Sequence, residues 1–301
     1  MKATTAVIAA SVPLEKTSLW TALMDLTKVR LTSLVLLTTL VGFYIGERGA
    51  VDFFLLVNTV LGTALVAGGA SALNQLLEKD YDALMKRTRS RPLPSGRLQP
   101  ETALIFGAVS SSLGMIYLAV MVNPLTSFLS AVTLVSYVFV YTPLKRITPL
   151  NTLVGAVPGA LPPLMGWTAA RGQITADGWS LFAILFFWQL PHFMAISWLY
   201  REEYERAGFA MLSVSDPEGY RTGRQAVCHT LGLLPVSLCP FLFHLAGPIY
   251  FVSALLLSGT FLGFAIQFSS KLTPRYARQL FYVSILYLPA LLGLMVFDKV
   301  R

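Results

Sequence analysis

The sequence predicts an all-α, polytopic membrane protein with nine transmembrane helices. Of its 301 residues, 55% are hydrophobic and only 13% are charged, whereas an ordinary soluble domain carries about 25% charged residues. Seven long intervals contain no charged residue, and the charges gather between them. Because a helix needs roughly 20 apolar residues to cross a bilayer, these intervals indicate membrane helices joined by polar loops.

The uncharged intervals account for nine spans when their lengths are compared with one helix. Their bounds are 31–46, 53–77, 102–144, 147–170, 178–200, 225–270 and 279–297. The third and the sixth are each about twice as long as one span requires. Each has a turn signal near its middle, Asn123-Pro124 in the third and Gly247-Pro248 in the sixth. Since Pro and Gly at such points favour a tight turn, each of these intervals is predicted to form a helical hairpin.

The fourth interval, which would form the fifth span, differs from the others in its prolines. It contains VGAVPGALPPLMGW, with three prolines and three glycines. We expect this helix to be kinked or broken, a shape that is tolerated in a membrane where protein or a cavity covers the backbone.

The distribution of Lys and Arg predicts the orientation in the membrane. With a cytoplasmic N-terminus, only Arg48, Arg171, Lys299 and Arg301 lie on the outer side, as the positive-inside rule requires. The net charge of +8 is then explained by topology near anionic lipid, and no nucleic-acid partner is expected. The predicted location is the cell inner (cytoplasmic) membrane, with multiple spans and with the acidic motifs on the cytoplasmic side.

Two parts of different character make up the chain. Residues 1–27 lack a long apolar core and are predicted to form an N-terminal cytoplasmic tail rather than a cleaved signal peptide. Residues 28–301 form one membrane domain, and no soluble domain is predicted beside it.

The most unusual stretch is NQLLEKDYDALMKRTRSRPLPSGR, residues 74–97, where acidic residues are followed by basic ones. Asn74, Glu78 and Asp82 are four residues apart and therefore share one helix face. Their oxygens suit Mg²⁺, which takes one or two carboxylates together with substrate phosphates. A solvated helix end with mixed charges is the alternative. Asn74 favours a site because a polar side chain inside a membrane segment is unfavourable unless it is used, and the bases that follow suit a polyanion.

A second acidic cluster follows the sixth predicted helix on the same side of the membrane. It consists of Glu202, Glu203 and Glu205. Two acidic helix ends could hold metal ions between them. The alternative is a solvated loop in which these acids pair with Arg201 and Arg206.

His192 lies in the block WQLPHF, about two turns inside the sixth helix. A hydrogen-bonded packing histidine, an iron ligand and a general acid or base are all open for it. His229 and His244 are predicted to be packing residues.

These motifs resemble a known family. The pattern N-x-x-x-E-x-D-x-D-x-x-M-x-R-T, from Asn74 to Thr88, resembles the first aspartate-rich motif of the UbiA-type intramembrane prenyltransferases. The block WQLPHFMAISWLYREEYERAGFAML from Trp188 is similar to the heme O synthase (protoheme IX farnesyltransferase) branch of that superfamily. TKVRLTSLVLLTTLVGFY from Thr27, YTPLKRITPLNTLVGAVPGALPPLMGW from Tyr141 and SDPEG from Ser215 extend the resemblance.

The chain departs from the family pattern at three positions. Glu78 stands where the superfamily has Asp. Val29 stands where the family often has the proline of Lys-Pro-Arg. If Glu203 begins the second D-x-x-x-D motif, Ala207 stands at its second acid. Glu202 and Glu205 are the alternatives for this second acid.

The resemblance implies a helical bundle around an intramembrane cavity. Its reaction would transfer the farnesyl group of farnesyl diphosphate to a vinyl group of protoheme IX (heme B), giving heme O and diphosphate in heme biosynthesis for terminal oxidases. Mg²⁺ is the implied cofactor, and heme B is a substrate. The implied partners are farnesyl diphosphate, heme B, the lipid bilayer and a downstream heme A synthase.

The resemblance also implies roles for particular residues. The implied catalytic metal ligands are Asn74, Glu78, Asp82 and Glu203. The implied diphosphate-binding residues are Arg87, Arg91, Lys145 and Arg146. The implied heme-binding residues are His192, Arg30, Arg201 and Arg206.

Two other functions fit the composition. One is a prenyltransferase of the same architecture that acts on a quinone or chlorophyll precursor, against which the WQLPHF block argues. The other is a transporter of an anionic substrate, which should have polar sites near the bilayer midplane. The acids of this chain cluster at one surface instead.

Overall fold

A computed structural model describes residues 18–300 of the chain. Most of the predicted N-terminal tail thus lies outside the described residues. The regular structure of the described part is helical, and its one β-type pairing is an isolated bridge between Ala246 and Lys299. The helices are α1 (Leu19–Leu26), α2 (Val29–Gly46), α3 (Phe53–Asp82), α4 (Pro100–Met121), α5 (Pro124–Val135), α6 (Thr142–Leu144), α7 (Asn151–Arg171), α8 (Ala176–Leu199), α9 (Arg201–Arg206), α10 (Tyr220–Leu242), α11 (Pro248–Lys271) and α12 (Pro274–Phe297), with a π-helical segment (Ser136–Tyr141) between α5 and α6.

Eight of the segments between residues 18 and 300 are long and apolar enough to cross a membrane. One of them joins α5, the π-helical segment and α6 into a single span, Pro124–Leu144. The helix at the fifth predicted span, α7, has 21 residues but is less apolar and is not among the eight. The all-α membrane fold is therefore confirmed, and the count of nine spans stays a prediction.

Both predicted hairpin turns are present. The Asn123 side chain accepts a hydrogen bond of 2.8 Å from the Thr126 amide and so caps α5, whose first residue is Pro124. Gly247 precedes α11, which begins at Pro248. Proline suits the first helical position because its missing N–H would have no partner there.

The helix α7 is continuous through Pro158, Pro162 and Pro163, so of the two predicted shapes, kinked or broken, the broken one is wrong. The helix survives because neighbouring helices cover most of it. Its backbone lies close against α2: a Cβ added at Gly166 would lie 1.9 Å from the Thr39 carbonyl oxygen. Small residues permit such close packing between membrane helices.

The loops that carry the candidate residues meet at one end of the bundle. The Ala210 amide donates to the Lys145 carbonyl at 2.7 Å, and the Asn151 side chain donates to the Ala210 carbonyl at 2.8 Å. At the opposite end, Lys299 donates to the Tyr44 and Glu47 carbonyls at 2.6 and 2.8 Å. Lys299 therefore lies beside the last turn of α2, at the other end of the bundle from the start of that helix.

Candidate active site

The last three turns of α3 carry a buried polar stripe. Asn74, Glu78 and Asp82 are 1%, 6% and 1% exposed, so the predicted common face points into the protein rather than into water. The alternative of a solvated helix end is therefore wrong for these three side chains. Uncompensated carboxylates at such burial would be strongly unfavourable, and their partners define the site.

Each member of the stripe is paired with one cation, and each cation comes from a different segment. The Lys28 ammonium, just before α2, donates to Asn74 Oδ1 at 2.8 Å. The Lys145 ammonium, after α6, lies 2.7 Å from Glu78 Oε1, and the Arg91 guanidinium lies 2.5 Å from Asp82 Oδ2. Three cations around two carboxylates leave one positive charge in excess, which favours an anionic ligand.

The amide of Asn74 is held in one orientation. Its Nδ2 donates to the Thr142 hydroxyl at 3.0 Å, and this hydroxyl donates to the Tyr137 carbonyl at 2.8 Å. The Asn74 oxygen is consequently the atom presented to the Lys28 ammonium. An amide oxygen fixed in this way is able to serve as a neutral metal ligand.

Lys28 reaches the stripe through an unusual backbone conformation. Its φ of 49° is left-handed, a region that non-glycine residues seldom occupy and that often marks a functional site. The preceding helix α1 is fastened to α3, because Gln75 Nε2 donates to the Leu26 carbonyl at 2.7 Å. Burial, and then the nearby Arg91 guanidinium, lowers the pKa of the Lys28 ammonium to about 7. An anion bound in the site would favour the charged form of Lys28.

Lys145 is held in its charged form. Burial lowers the pKa of its ammonium, but the Glu78 carboxylate and the nearby Tyr141 and Tyr137 more than offset this effect. The pKa of Lys145 therefore lies above its ordinary value. A firmly charged lysine at this position is suited to a permanently anionic ligand.

The oxygen atoms of the stripe are suited to bind a divalent cation, in addition to forming ion pairs. Asp82 Oδ1 is buried and has no hydrogen-bond partner among residues 18–300, although buried carboxylate oxygens are rarely left unpaired. This oxygen, the fixed Asn74 oxygen and the Glu78 carboxylate are the hard oxygen donors that Mg²⁺ prefers. They leave positions for water and phosphate oxygens, as Mg²⁺ sites usually do.

The second acidic cluster does not join this stripe. Glu203 lies on α9, and its Oε2 accepts from the Arg87 amide at 3.4 Å. Between residues 18 and 300, no group of three or more His, Cys, Asp or Glu side chains is placed to hold a metal ion. Glu78, Asp82 and Glu203 thus do not form a three-acid group. Glu202 and Glu205 are exposed, in agreement with the solvated-loop alternative for these two.

The four predicted diphosphate-binding residues divide into two pairs. Arg91 and Lys145 lie in the buried ion pairs described above. Arg87 and Arg146 are exposed at the rim, where Arg87 donates to the Tyr204 hydroxyl at 3.3 Å and Arg146 hydrogen-bonds the Tyr81 hydroxyl. The Arg146 guanidinium also lies 4.6 Å from the centre of the Tyr81 ring. Both rim arginines are thus exposed and contact tyrosine side chains.

The predicted heme-binding residues are spread over separate places. Arg30 is exposed near the start of α2. Arg201 donates to the Pro217 carbonyl at 3.2 Å, and Arg206 donates to the Glu202 carbonyl at 3.3 Å. His192 lies deeper, on α8, where its Nδ1 is 2.7 Å from the Ser284 hydroxyl of α12. The hydrogen bonds of the arginines do not connect them to His192.

Sequence analysis missed two residues of these environments. Lys28 could have been predicted, because it lies two residues before Arg30 in the segment from Thr27 that resembles the family. Of these two basic residues, only Arg30 was predicted to bind a substrate. No sequence signal pointed to Ser284, because it is one serine among apolar residues of a predicted plain helix.

A family model settles the class of protein. The model described as "UbiA prenyltransferase family" matches residues 35–288, which is most of the chain. The chain therefore belongs to the UbiA prenyltransferase family, and it is an integral membrane protein with a prenyltransferase fold.

Several relatives that are similar to this chain over most of its length share one name. Relatives named protoheme IX farnesyltransferase include one from Solibacter usitatus, 45% identical over 92% of this chain and 98% of the relative. A second, from Myxococcus xanthus, is 46% identical over 92% of this chain and 94% of the relative. Within the family, the chain is thus similar to protoheme IX farnesyltransferases over nearly its full length.

Solved structures agree with the fold. A structure of a digeranylgeranylglyceryl phosphate synthase aligns with a TM-score of 0.80 over 93% of this chain and 98% of the other, at 14% identity. A UbiA homologue from Archaeoglobus fulgidus bound to GPP and Mg²⁺ aligns with a TM-score of 0.64 over 92% of this chain and 99% of the other, at 15% identity. At these identities the likeness shows the fold alone.

Proposed function

We propose that this protein transfers the farnesyl group of farnesyl diphosphate to a vinyl group of heme B and releases diphosphate. The observation that carries the proposal is the buried stripe of α3 with its three cations, which suits a diphosphate and a divalent cation at the mouth of an apolar bundle. The choice of heme B as acceptor is supported by the similarity to protoheme IX farnesyltransferases.

The diphosphate would bind where the three cations converge. Lys28, Arg91 and Lys145 hydrogen-bond the side chains of the stripe in the structure. On binding, each would also donate hydrogen bonds to phosphate oxygens. Arg87 and Arg146 would close over the anion from the rim, since a guanidinium binds phosphate oxygens in pairs. Glu203 lies beside this rim, because its carboxylate accepts from the Arg87 backbone amide.

Asn74, Glu78 and Asp82 would hold Mg²⁺, and Glu203 would approach it on closure. When bound, Mg²⁺ supplies Lewis-acid neutralisation of the leaving diphosphate. The stripe itself performs the positioning: its carboxylates are buried and fixed by ion pairs, so they need little reorganisation when the substrate arrives.

The apolar part of the substrate would follow the same face of α3 into the bundle. Below Asn74 this face continues with Ala70, Ala67 and Thr63, which line a cavity of about 30 Å³ between α2, α3, α5 and α7. The 11 helical steps from Thr63 to Asn74 span about 16 Å, close to the extended length of three isoprene units. A cavity of this size holds a few water molecules at most, so a prenyl chain would have to widen it.

The proposed reaction breaks one bond of farnesyl diphosphate and forms two new bonds at the heme vinyl group. The bond between C1 of the farnesyl group and the diphosphate oxygen breaks, and C1 bonds to the terminal carbon of the heme vinyl group. The cation left on the inner vinyl carbon takes a hydroxyl group from water, which loses a proton. The buried site keeps water from the allylic cation before the carbon–carbon bond forms.

His192, Arg30, Arg201 and Arg206 are the residues proposed to orient heme B, through its iron or its propionates. The proposed location is the cell inner membrane with the site facing the cytoplasm, supported by the basic loops gathered at one end of the bundle. A heme A synthase is proposed as the downstream enzyme that accepts the product.

The length of the donor chain gives a first prediction. Replacement of Ala67 by leucine should fill the cavity below the stripe. We expect turnover with farnesyl diphosphate to fall about tenfold or more, since overpacking costs about 1–3 kcal/mol, while turnover with geranyl diphosphate is retained. The measurement is kcat/KM for both donors. The control is Ala108→Leu, the same change at an exposed position of α4; equal loss for both donors in Ala67→Leu would contradict this placement of the chain.

The reaction class gives a second prediction. Purified protein in lipid should release diphosphate from farnesyl diphosphate only when heme B is present. Diphosphate release is measured with heme B, with a hydroxybenzoate quinone precursor and with no acceptor. Release stimulated by the quinone precursor and not by heme B would move the protein to another branch of its family.

A further inference from the structure

The ring of His192 is fixed in its plane by two aromatic side chains. Trp188 lies one turn earlier on α8, with ring centres 5.2 Å apart and planes 21° apart. Phe281 of α12 is also stacked on it, with ring centres 5.1 Å apart and planes 27° apart. Because both neighbours stack on the imidazole, its hydrogen bonds are made through the nitrogens at its edge.

Ser284 supplies the edge contact. Its hydroxyl is fully buried and lies 2.7 Å from His192 Nδ1 and 2.6 Å from the Phe281 carbonyl. Its own carbonyl accepts from Trp188 Nε1 at 2.8 Å. One residue of α12 thus contacts both the histidine and the aromatic ring stacked on it.

The hydrogen positions follow from counting donors. A serine hydroxyl has one hydrogen, whereas the Phe281 carbonyl can only accept. If the hydroxyl donates to the carbonyl, it accepts from Nδ1–H of His192 and both short contacts are hydrogen bonds. If it donated to Nδ1 instead, two lone-pair oxygens would face each other at 2.6 Å with no hydrogen between them. The first arrangement is the stable one.

A neutral imidazole with its hydrogen on Nδ1 has a free lone pair on Nε2. Within the described part of the chain, Nε2 has no hydrogen-bond partner. An Nε2 lone pair can ligate iron, but it cannot donate a hydrogen bond to a propionate.

We propose that Ser284 is a positioning residue that holds His192 as the Nδ1–H tautomer, so that Nε2 is presented to the iron of the heme acceptor. The proposal rests on the proposed function for the identity of the acceptor. It also distinguishes between the two heme contacts open to His192, and selects iron ligation over a propionate contact.

The tautomer is measurable without any substrate. The chain has three histidines, so His229→Gln with His244→Asn leaves His192 as the single one in a protein without a histidine tag. Asparagine suits position 244, whose φ is 57°, because it tolerates the left-handed region. Protein labelled with ¹⁵N-histidine should show a protonated Nδ1 and an unprotonated Nε2 in the NMR spectrum.

Adding Ser284→Ala to this background should replace the single tautomer with a mixture, and Ser284→Thr should retain it. Ser258→Ala is the matched control, because Ser258 is equally buried on the neighbouring helix and bonds Ser237 and Tyr287 instead of His192. A single Nδ1–H tautomer in the Ser284→Ala protein, or an Nε2–H tautomer with serine present, would overturn the proposal.

Heme titration then separates this proposal from the proposed function. We expect heme B to give a histidine-ligated Soret spectrum that His192→Ala abolishes. Ser284→Ala should weaken heme affinity about 10- to 100-fold, the usual effect of losing a partner of a ligating histidine, and Ser258→Ala should not. Heme bound with a spectrum independent of His192 would overturn the ligand role, whereas no heme binding at all would overturn the proposed function.

Discussion

Replacement of Asp82 by asparagine is expected to reduce prenyl transfer about 100-fold, which corresponds to about 2.7 kcal/mol of transition-state stabilisation. The change keeps the shape of the side chain and removes its negative charge. That charge pairs with the Arg91 guanidinium through Oδ2, and Oδ1 is the oxygen proposed to bind Mg²⁺. If Asp82 binds Mg²⁺, the remaining activity should require a higher Mg²⁺ concentration. The measurement is the initial rate across a Mg²⁺ titration.

The matched control is Asp80→Asn, two residues away on the same helix. Asp80 is exposed and lies off the stripe, so its loss should leave the rate and the Mg²⁺ dependence unchanged. An Asp82→Asn protein that retains its fold and reacts at the original rate would remove Asp82 from the site.

Replacement of Lys145 by methionine should be harmful in two separable ways. It would leave the buried Glu78 carboxylate without its partner at 2.7 Å, and breaking a buried ion pair typically costs about 3–5 kcal/mol of stability. It would also remove a cation that binds the diphosphate. We therefore expect a lower unfolding temperature together with loss of nearly all activity.

The double variant Lys145→Met with Glu78→Gln separates the two effects. Removing both charges should restore most of the unfolding temperature, because no uncompensated charge is left buried. Activity should stay low, since both the diphosphate contact of Lys145 and the charge of the proposed metal ligand Glu78 are missing. Lys86→Met, at an exposed lysine of the following loop, controls for net charge. Recovery of activity in the double variant would show that Lys145 serves only to neutralise Glu78.

The helices were predictable because a membrane imposes a simple rule on the chain. Uncharged intervals of sufficient length became helices, and Asn123-Pro124 and Gly247-Pro248 became turns, as expected. The prolines of α7 were expected to kink or break a helix covered by its neighbours; the helix is not broken, and the cover is present. Gly166, in contact with the Thr39 backbone, shows how closely α2 packs over that helix.

The site was predictable where it depends on local spacing. The period of the α-helix placed Asn74, Glu78 and Asp82 on one face, and the structure confirms that they share a buried stripe. The role of Lys28 depends on a left-handed backbone and on α1 fastened to α3, and neither can be inferred from residue types. The contact between Ser284 and His192 joins residues 92 positions apart, so it follows from the packing of α8 against α12 alone.

The position of the second acidic cluster also depends on packing and not on local spacing. Motif alignment suggested that Glu203 completes a four-residue metal shell. Its observed partner is the Arg87 amide, because a six-residue helix in a loop sets the direction of the side chain. Its place in the metal shell therefore stays a proposal that depends on closure of the loops around a bound diphosphate.

The most direct test of the central claim is identification of the reaction product. Purified protein is incubated with farnesyl diphosphate, heme B and Mg²⁺, and the hemes are separated and weighed by mass spectrometry. We predict a new heme whose mass exceeds that of heme B by one farnesyl group and one hydroxyl group, formed in equal amount with diphosphate, and absent with Asp82→Asn. Diphosphate formed without any change in the mass of the heme would contradict the assignment of heme B as the acceptor.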